Sequence, residues 1–252
     1  MTHRFTSLDL TDGVANITYD RTKRANSLSS ESVRELRKTL EQTAEMEEVR
    51  LVVLRTAGNG AFCAGADIEE MRTLDAPGGE RFIRGLHTAF HAVRRHPAPV
   101  ICAVHGACLG AGLELMVACD FALVSDRATF GMPEPFVGLP SVIEAALLPH
   151  IIGLMRTRDL LFTGERIDAA RALEIGLVTS VSSDSELDDA VQAKSSQLLR
   201  HSPVALRLQK QLMNRWLNLP LDEGIEAGVK ALALAFATGE PARAIDSYWN
   251  AD

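Results

Sequence analysis

The stretch "GAFCAGADIEEM", residues Gly60 to Met71, decides how this chain is read. It follows "RLVVLRTAGN" (50–59), an apolar run that reads as a buried strand entering a turn. Gly60, Ala61, Ala64, Gly65 and Ala66 are small, Cys63 is only slightly larger, and Asp67 opens what reads as a helix. Bulk is missing where a strand meets a helix. Either another helix packs closely there or a ligand lies against the main chain.

The rest of the chain narrows the choice. Its 252 residues suit one α/β domain or two small ones, and 46% apolar residues can fill a sizeable core. The net charge of −7 argues against a nucleic-acid binder, which shows a basic face. No run approaches eighteen apolar residues, so no membrane span is expected. The start "MTHRFTSLDL" lacks the apolar run of a signal peptide. Cys63, Cys102, Cys108 and Cys119 form no CxxC pair and read as reduced thiols of a cytoplasmic protein.

Periodicity orders the elements. "FTSLDL" and "VANITYD" flank Thr11-Asp12-Gly13 and read as a hairpin. Ser29 to Met46 reads as a helix with Val33, Leu36 and Leu40 on one face. Val49 to Arg55 is a strand, Gly79 to Arg95 a helix, "VICAVHG" a strand, Gly110 to Ala118 a short helix and "CDFALVS" a strand. Ala145 to Leu161 is mostly helical, as is Glu186 to Trp249, broken at Pro203, Pro220 and Pro241. The pattern predicts a sheet-based core over 1–200 and a helical extension over 201–252.

Some motifs fail on inspection. Gly60 and Gly65 have phosphate-loop spacing, but Ala66-Asp67 stand where Lys-Ser/Thr belongs. Gly106, Gly110 and Gly112 do not make GxGxxG. His87 and His91 are four apart on a helix, yet no third ligand is evident, so a polar helix face is the better reading and no metal is expected.

Two further stretches carry carboxylates in unusual settings. In "VHGACLGAGLELMVACDFAL" (104–123), Glu114 is the lone charge of a helix otherwise built of Leu113, Leu115, Met116 and Val117. Burying it demands a partner or a proton. In "ATFGMPEPFVGLP" (128–140), Glu134 is clamped between Pro133 and Pro135. Taken alone, each could be a surface carboxylate.

"AFCAGADI", "GAGLELMVACD" and "FGMPEPFVGLP", in this order and spacing, resemble the enoyl-CoA hydratase/isomerase family, the crotonases. "RANSLSS" (24–30) and "LLFTGERIDAARALEIGLV" (160–178) resemble its flanking segments. The resemblance runs to about residue 210. It implies an α/β crotonase fold: a spiral of ββα turns forming two nearly perpendicular sheets, with a C-terminal helical part used to build a homotrimer or a dimer of trimers. The tail's apolar Leu206, Leu212 and Leu232 would suit such assembly.

The family binds acyl-CoA thioesters and works through a thioester enolate, whose oxygen needs preorganised donors. Carried over position by position, the resemblance gives the backbone N–H groups of Cys63 and Ala111 as the oxyanion hole. It gives Glu114 and Glu134 as catalytic carboxylates, one activating water for Cβ and the other protonating Cα. Arg24, Ala25, Ala61, Ala64, Gly65, Ala66, Asp67, Ile68 and Gly110 would contact substrate and CoA. No cofactor beyond the CoA of the substrate is implied. Arg207 and Lys210 could reach a CoA phosphate, although solvated helix charges are the plainer reading.

The chain departs from the family after Glu134. A glycine-rich run is replaced by Gly138-Leu139-Pro140-Ser141-Val142-Ile143-Glu144-Ala145. Glu144 could be a third catalytic carboxylate, but Ser141-x-x-Glu144 before an apolar helix is a capping-box pattern, and the cap is the favoured reading. The pair of glutamates favours hydration of a 2-enoyl-CoA. The alternatives are an isomerase or other crotonase chemistry, and a non-catalytic acyl-CoA or RNA-binding homologue.

Overall fold

The computed structural model describes residues 4–249. Strands β1 (Thr6–Thr11) and β2 (Val14–Tyr19) pair antiparallel from Thr6 opposite Tyr19 to Thr11 opposite Val14. Asp12 (φ 50°) and Gly13 (φ 80°) join them, both at positive φ, as a two-residue hairpin turn demands. Helix α1 (Ser30–Glu45) begins where the Ser29 hydroxyl accepts the Ser32 N–H and the Ser32 hydroxyl accepts the Ser29 N–H. It buries Val33, Leu36 and Leu40.

Strand β3 (Leu51–Thr56) leads into the opening stretch and the short helix α2 (Ile68–Met71). Helix α3 (Ala76–Arg95), capped by Asp75, buries Phe82, Leu86, Ala89, Phe90 and Val93. Then come β4 (Val100–Val104), β5 (Ala107–Leu109) and α4 (Ala111–Val117). Strands β6 (Phe121–Ser125) and β7 (Thr129–Gly131) repeat the step. Helices α5 (Leu148–Ile152) and α6 (Leu154–Thr163) follow, then β8 (Ile167–Asp168), α7 (Ala169–Glu174), β9 (Ser180–Ser182) and α8 (Leu187–Leu199).

Two sheets result. One has six strands in the order β1-β2-β3-β4-β6-β9, the other three in the order β5-β7-β8. All pairs from β2 to β9 in the large sheet are parallel. Every residue of β4 is buried, as expected for a parallel strand covered on both faces. The chain alternates: β4 and β6 lie in the large sheet, and β5 and β7 directly after them lie in the small one. An isolated bridge between Cys63 and Cys108 extends the small sheet onto the opening stretch. Sequence periodicity could not show β5, which is only three residues long and lies in what reads as a turn. The helix expected over 145–161 is broken at Gly153 (φ 79°) and preceded by a 3-10 turn, Ile143–Leu147.

The helical tail comprises α9 (Pro203–Trp216), α10 (Leu221–Ala237) and α11 (Glu240–Trp249). Pro241 falls in the first turn of α11, where a missing N–H does no harm. Two expectations for this tail fail. Leu212 is buried, near Gly228 of α10, and does not belong to an uncovered stripe. Lys210 is not solvated: it is 6% exposed, and its ammonium donates to Asp120 Oδ2 (2.6 Å), Val93 O (3.1 Å) and Ala98 O (3.2 Å). It cannot serve a CoA phosphate from there. Asn214 adds a bond to Arg94 O at 2.8 Å, so α9 is tied to the end of α3.

Lys210→Met should therefore leave Asp120 without its cation and remove one donor each from Val93 O and Ala98 O. Asp120 keeps some solvent access, so the expected loss is about 3 kcal/mol, the lower end for a broken buried pair. Urea unfolding checks this; an unchanged midpoint would show that α9 does not need the Lys210 contacts.

Candidate active site

The small residues of the opening stretch face another main chain. A Cβ at Gly106 would collide with the Gly60 carbonyl oxygen, and one at Gly112 would lie 2.6 Å from both Cys63 Cβ and Cys63 O. A Cβ at Gly65 (φ 102°) would lie 3.2 Å from Leu109 O and 3.7 Å from Ala111 N. Segment 60–66 thus runs along 106–112, backbone to backbone. Close packing, here by a strand and the first turn of α4, is the primary cause.

This seam corrects one expectation. The Cys63 N–H donates to Ala107 O at 3.0 Å and Cys63 O accepts the Leu109 N–H at 2.9 Å. A donor engaged in a β-bridge cannot also hold an oxyanion. The thiol is buried and pushed up to about 12 by desolvation, so it is no nucleophile either. The Ala64 N–H goes to Ala25 O and the Asp67 N–H to Leu28 O. Among the described residues, no acceptor takes the N–H of Ala66 or that of Ala111. Ala111 is the first residue of α4, where a helix leaves its N–H groups unpaired.

Ala25 and Ala64 are joined by the Ala64 N–H, Ala61 O accepts from Asn26, and Ala66 bridges to Leu28. Arg24 pairs with Glu69 (2.6 Å) at the surface, and Ile68 is 64% exposed beside it. Asp67 differs: its carboxylate caps α2 through the Glu69 and Glu70 N–H groups and pairs with Arg21. Its side chain is a structural clamp. Asn26, not singled out from sequence, is another. It is buried at φ 54°, accepts the Arg21 N–H and donates to Ala57 O and Ala61 O, holding two loops together. Asn tolerates the left-handed region, which was the available signal.

The carboxylates converge at α4. Gly110, at φ 51° and ψ −122°, lies so close that a Cβ there would be 2.5 Å from Glu134 Oε1. Glu134 therefore sits against the start of α4. Glu114 lies one turn further in, 3% exposed, with Oε1 accepting the Ala145 N–H at 3.1 Å. Burial lifts its pKa to about 8; the Glu134 and Glu144 charges add to this, while the Ala145 and Val142 N–H groups oppose it. Glu134 is also raised by desolvation, opposed by hydrogen bonds that include the Ser141 hydroxyl at 3.1 Å.

The capping box expected at Ser141 and Glu144 does not form. Ser141 donates to Glu134, Val142 precedes the 3-10 turn, and no side chain caps it. Glu144 points inward, 2% exposed, 3.0 and 3.3 Å from His87 Nδ1 and 3.9 Å from Arg94 Nη1. Desolvation raises its pKa, and His87 and Arg94 pull it down. Beside it, Ile143 holds φ 36°, a left-handed conformation that a β-branched residue rarely adopts. Such strain costs on the order of 1–3 kcal/mol. Sequence reasoning missed His87 as Glu144's partner because they are 57 residues apart and nothing local links them.

Known proteins carry the same architecture. The enoyl-CoA hydratase/isomerase family profile matches residues 9–250. A short-chain-enoyl-CoA hydratase of Clostridium acetobutylicum is 32% identical over 93% of this chain and 90% of its own. A crotonyl-CoA hydratase of Syntrophomonas wolfei is 31% identical over 92% and 89%. The crystal structure of an enoyl-CoA hydratase from Bacillus anthracis superposes with a TM-score of 0.93 at 31% identity, covering 97% of this chain and 96% of that one. With a match across nearly the whole chain and a buried and a half-buried glutamate meeting at α4, the chain belongs to the enoyl-CoA hydratase/isomerase family.

Proposed function

We propose that this protein hydrates a 2-enoyl-CoA thioester to the 3-hydroxyacyl-CoA. One observation carries the reading: two desolvated carboxylates, Glu114 and Glu134, meet at the start of α4, where the Ala111 N–H is unpaired and the Ala66 segment adjoins it. The thioester oxygen takes the N–H groups of Ala66 and Ala111, Ala66 replacing Cys63 in that role. The oxygen of a water held between the carboxylates bonds to Cβ, and the C=C π pair moves toward the thioester as the enolate forms. One carboxylate takes the water's proton while the other delivers a proton to Cα. No cofactor is needed beyond the CoA of the substrate.

Phe136, Val137, Leu139 and Val142, all exposed around Glu134, offer an apolar lining for the acyl group. On α10, Ile225, Val229, Leu232 and Phe236 leave an apolar stripe that a trimer, or a dimer of trimers, would cover through the 201–252 region. The free thiols suit a reducing compartment such as the cytoplasm. Among the described residues, no helix is long and apolar enough to cross a membrane.

The pair works with one proton between its members. Glu114 holds that proton until about pH 8 in the unliganded protein. Above that, both carboxylates are charged and none can donate, so kcat/KM for crotonyl-CoA should fall on the alkaline side of about 8. Glu114→Gln and Glu134→Gln should each lower kcat by about 10²–10⁴-fold. Deuterium exchange at Cα of the 3-hydroxyacyl-CoA shows which of them delivers the proton. Wild-type protein that shifts the double bond of a 3-enoyl-CoA but never hydrates a 2-enoyl-CoA would replace hydratase by isomerase.

Ala111→Pro tests the donors. Proline is well tolerated at the first position of a helix, so the change mainly deletes the N–H. A fall of about 10²–10³-fold in kcat is expected; full turnover by the folded variant would remove Ala111 from the oxyanion hole.

Cys63→Ala should keep most activity, because neither its thiol nor its N–H faces the substrate. A loss beyond roughly a hundredfold in kcat, about 2.7 kcal/mol, would contradict this.

A further inference from the structure

Beyond the two carboxylates of the reaction, the site holds a third, Glu144, bound to α3 by side chains the mechanism does not use. Glu144 and Ile143 occupy adjacent positions of one turn, and the next residue, Ala145, supplies the N–H that Glu114 accepts at 3.1 Å. Ile143 is held at φ 36°, where glycine would be at ease. Some contact must hold the turn in that shape. The Ala145 N–H, shared between Val142 O at 2.9 Å and Glu114 Oε1 at 3.1 Å, is one, and the Glu144 carboxylate supplies the other by reaching His87 Nδ1 at 3.0 Å with Arg94 Nη1 at 3.9 Å.

We infer that Glu144 is a positioning residue for Glu114: anchored to His87 and Arg94 of α3, it holds the strained turn at Ile143 so that the Ala145 N–H meets the Glu114 carboxylate. This rests on the hydratase reading for its catalytic consequence, but the geometric claim stands apart from any reaction. Around the cluster, Glu114 faces Glu134 and Glu144, while Glu144 faces His87 and Arg94. His87 lies against His91, which in turn is near Arg94 and Arg95. Glu144 thus acts on Glu114 in two opposed ways. Its charge favours a protonated Glu114, and the N–H it presents favours an ionised one.

Those opposed effects separate positioning from other roles. In Glu144→Gln the amide oxygen still accepts from His87, so the turn stays while the charge goes. In Glu144→Ala both go. With crotonyl-CoA, Glu144→Gln should stay within about threefold of wild-type kcat, whereas Glu144→Ala should lose about 10–100-fold in kcat with KM changed less than threefold, the size of a small misplacement. His87→Leu should reproduce the Glu144→Ala loss, and the double variant should be no worse than either. Glu144→Gln as inactive as Glu144→Ala would make Glu144 a catalytic carboxylate and overturn the inference; so would a Glu144→Ala enzyme with wild-type kcat.

A second measurement needs no turnover. The titration of Glu114 is followed in the unliganded protein by 13C NMR of labelled glutamate carboxyls, assigned with Glu114→Gln. Glu114 should titrate lower in Glu144→Gln than in wild type, and higher in Glu144→Ala than in Glu144→Gln, because only the alanine variant loses the N–H. Coincident titrations in the two variants would overturn positioning. A wild-type protein without hydratase activity would defeat the proposed function and leave this titration to decide the inference alone.

Discussion

The site depends on main chain lying against main chain. Segment 60–66 and segment 106–112 meet with Gly65, Gly106 and Gly112 at the closest points, where any Cβ would strike the opposite backbone or Cys63. Two strips this bare contribute little apolar contact of their own. The Cys63–Ala107 and Leu109–Cys63 hydrogen bonds register them, and the surrounding core holds them. The register leaves Ala66 and Ala111 on adjoining strips, each with its N–H unpaired. Donors made of backbone bring no side-chain entropy to be lost when an oxyanion forms. Adding one methyl at Gly112 would push Cys63, and with it the Ala66 segment, away from α4.

Around this seam the fold accommodates three desolvated carboxylates in three ways. Glu144 is matched by His87 and Arg94. Glu134 keeps partial access to solvent and accepts the Ser141 hydroxyl. Glu114, with one N–H from Ala145 and two like charges nearby, keeps its proton up to about pH 8. The linkage has a definite sign. A folded pKa of about 8 lies above the ordinary carboxylate value of 4.5, so the native state binds the proton more tightly than the unfolded chain. The stabilisation from that proton is complete below the unfolded pKa and is lost as pH rises through about 8. Across that window the loss approaches about 1.4 kcal/mol per pH unit. The carboxyl that makes the site useful therefore costs the fold stability as pH rises from 4.5 to about 8, the usual tension between a polar active site and a stable core.

Much of this was legible in the residues. The hairpin, the helices and the buried strands followed from turn residues, helical periodicity and apolar runs. Glu114 was conspicuous because every neighbour in its helix is apolar. What failed has a common cause. Lys210 as a solvated charge and Glu144 as a cap were read from local pattern, and Cys63 as a donor was carried over from the resemblance. Each is decided by a partner distant in sequence: Asp120, His87 and Ala107 respectively. Local pattern names the chemistry a residue can do, and only the fold says whether its hydrogen bonds are already committed. Ser141-x-x-Glu144 shows this most clearly. The motif is present, yet the serine serves Glu134 and the glutamate serves α3.

In the turn after Glu134, the backbone of Ile143 and the partners of Glu144 are coupled. Glycine at position 143 would adopt φ 36° without strain but would leave the turn free to move. Isoleucine restricts the unfolded chain and stiffens the turn, at the cost of a conformation it resists. That exchange is useful only if something keeps the strained conformer populated. A buried carboxylate reaching a histidine and an arginine on the neighbouring helix does so, and burying it is tolerable only because those partners are there. Ile143, Glu144, His87 and Arg94 are thus one device. Together they fix an N–H that opposes the burial-raised pKa of Glu114.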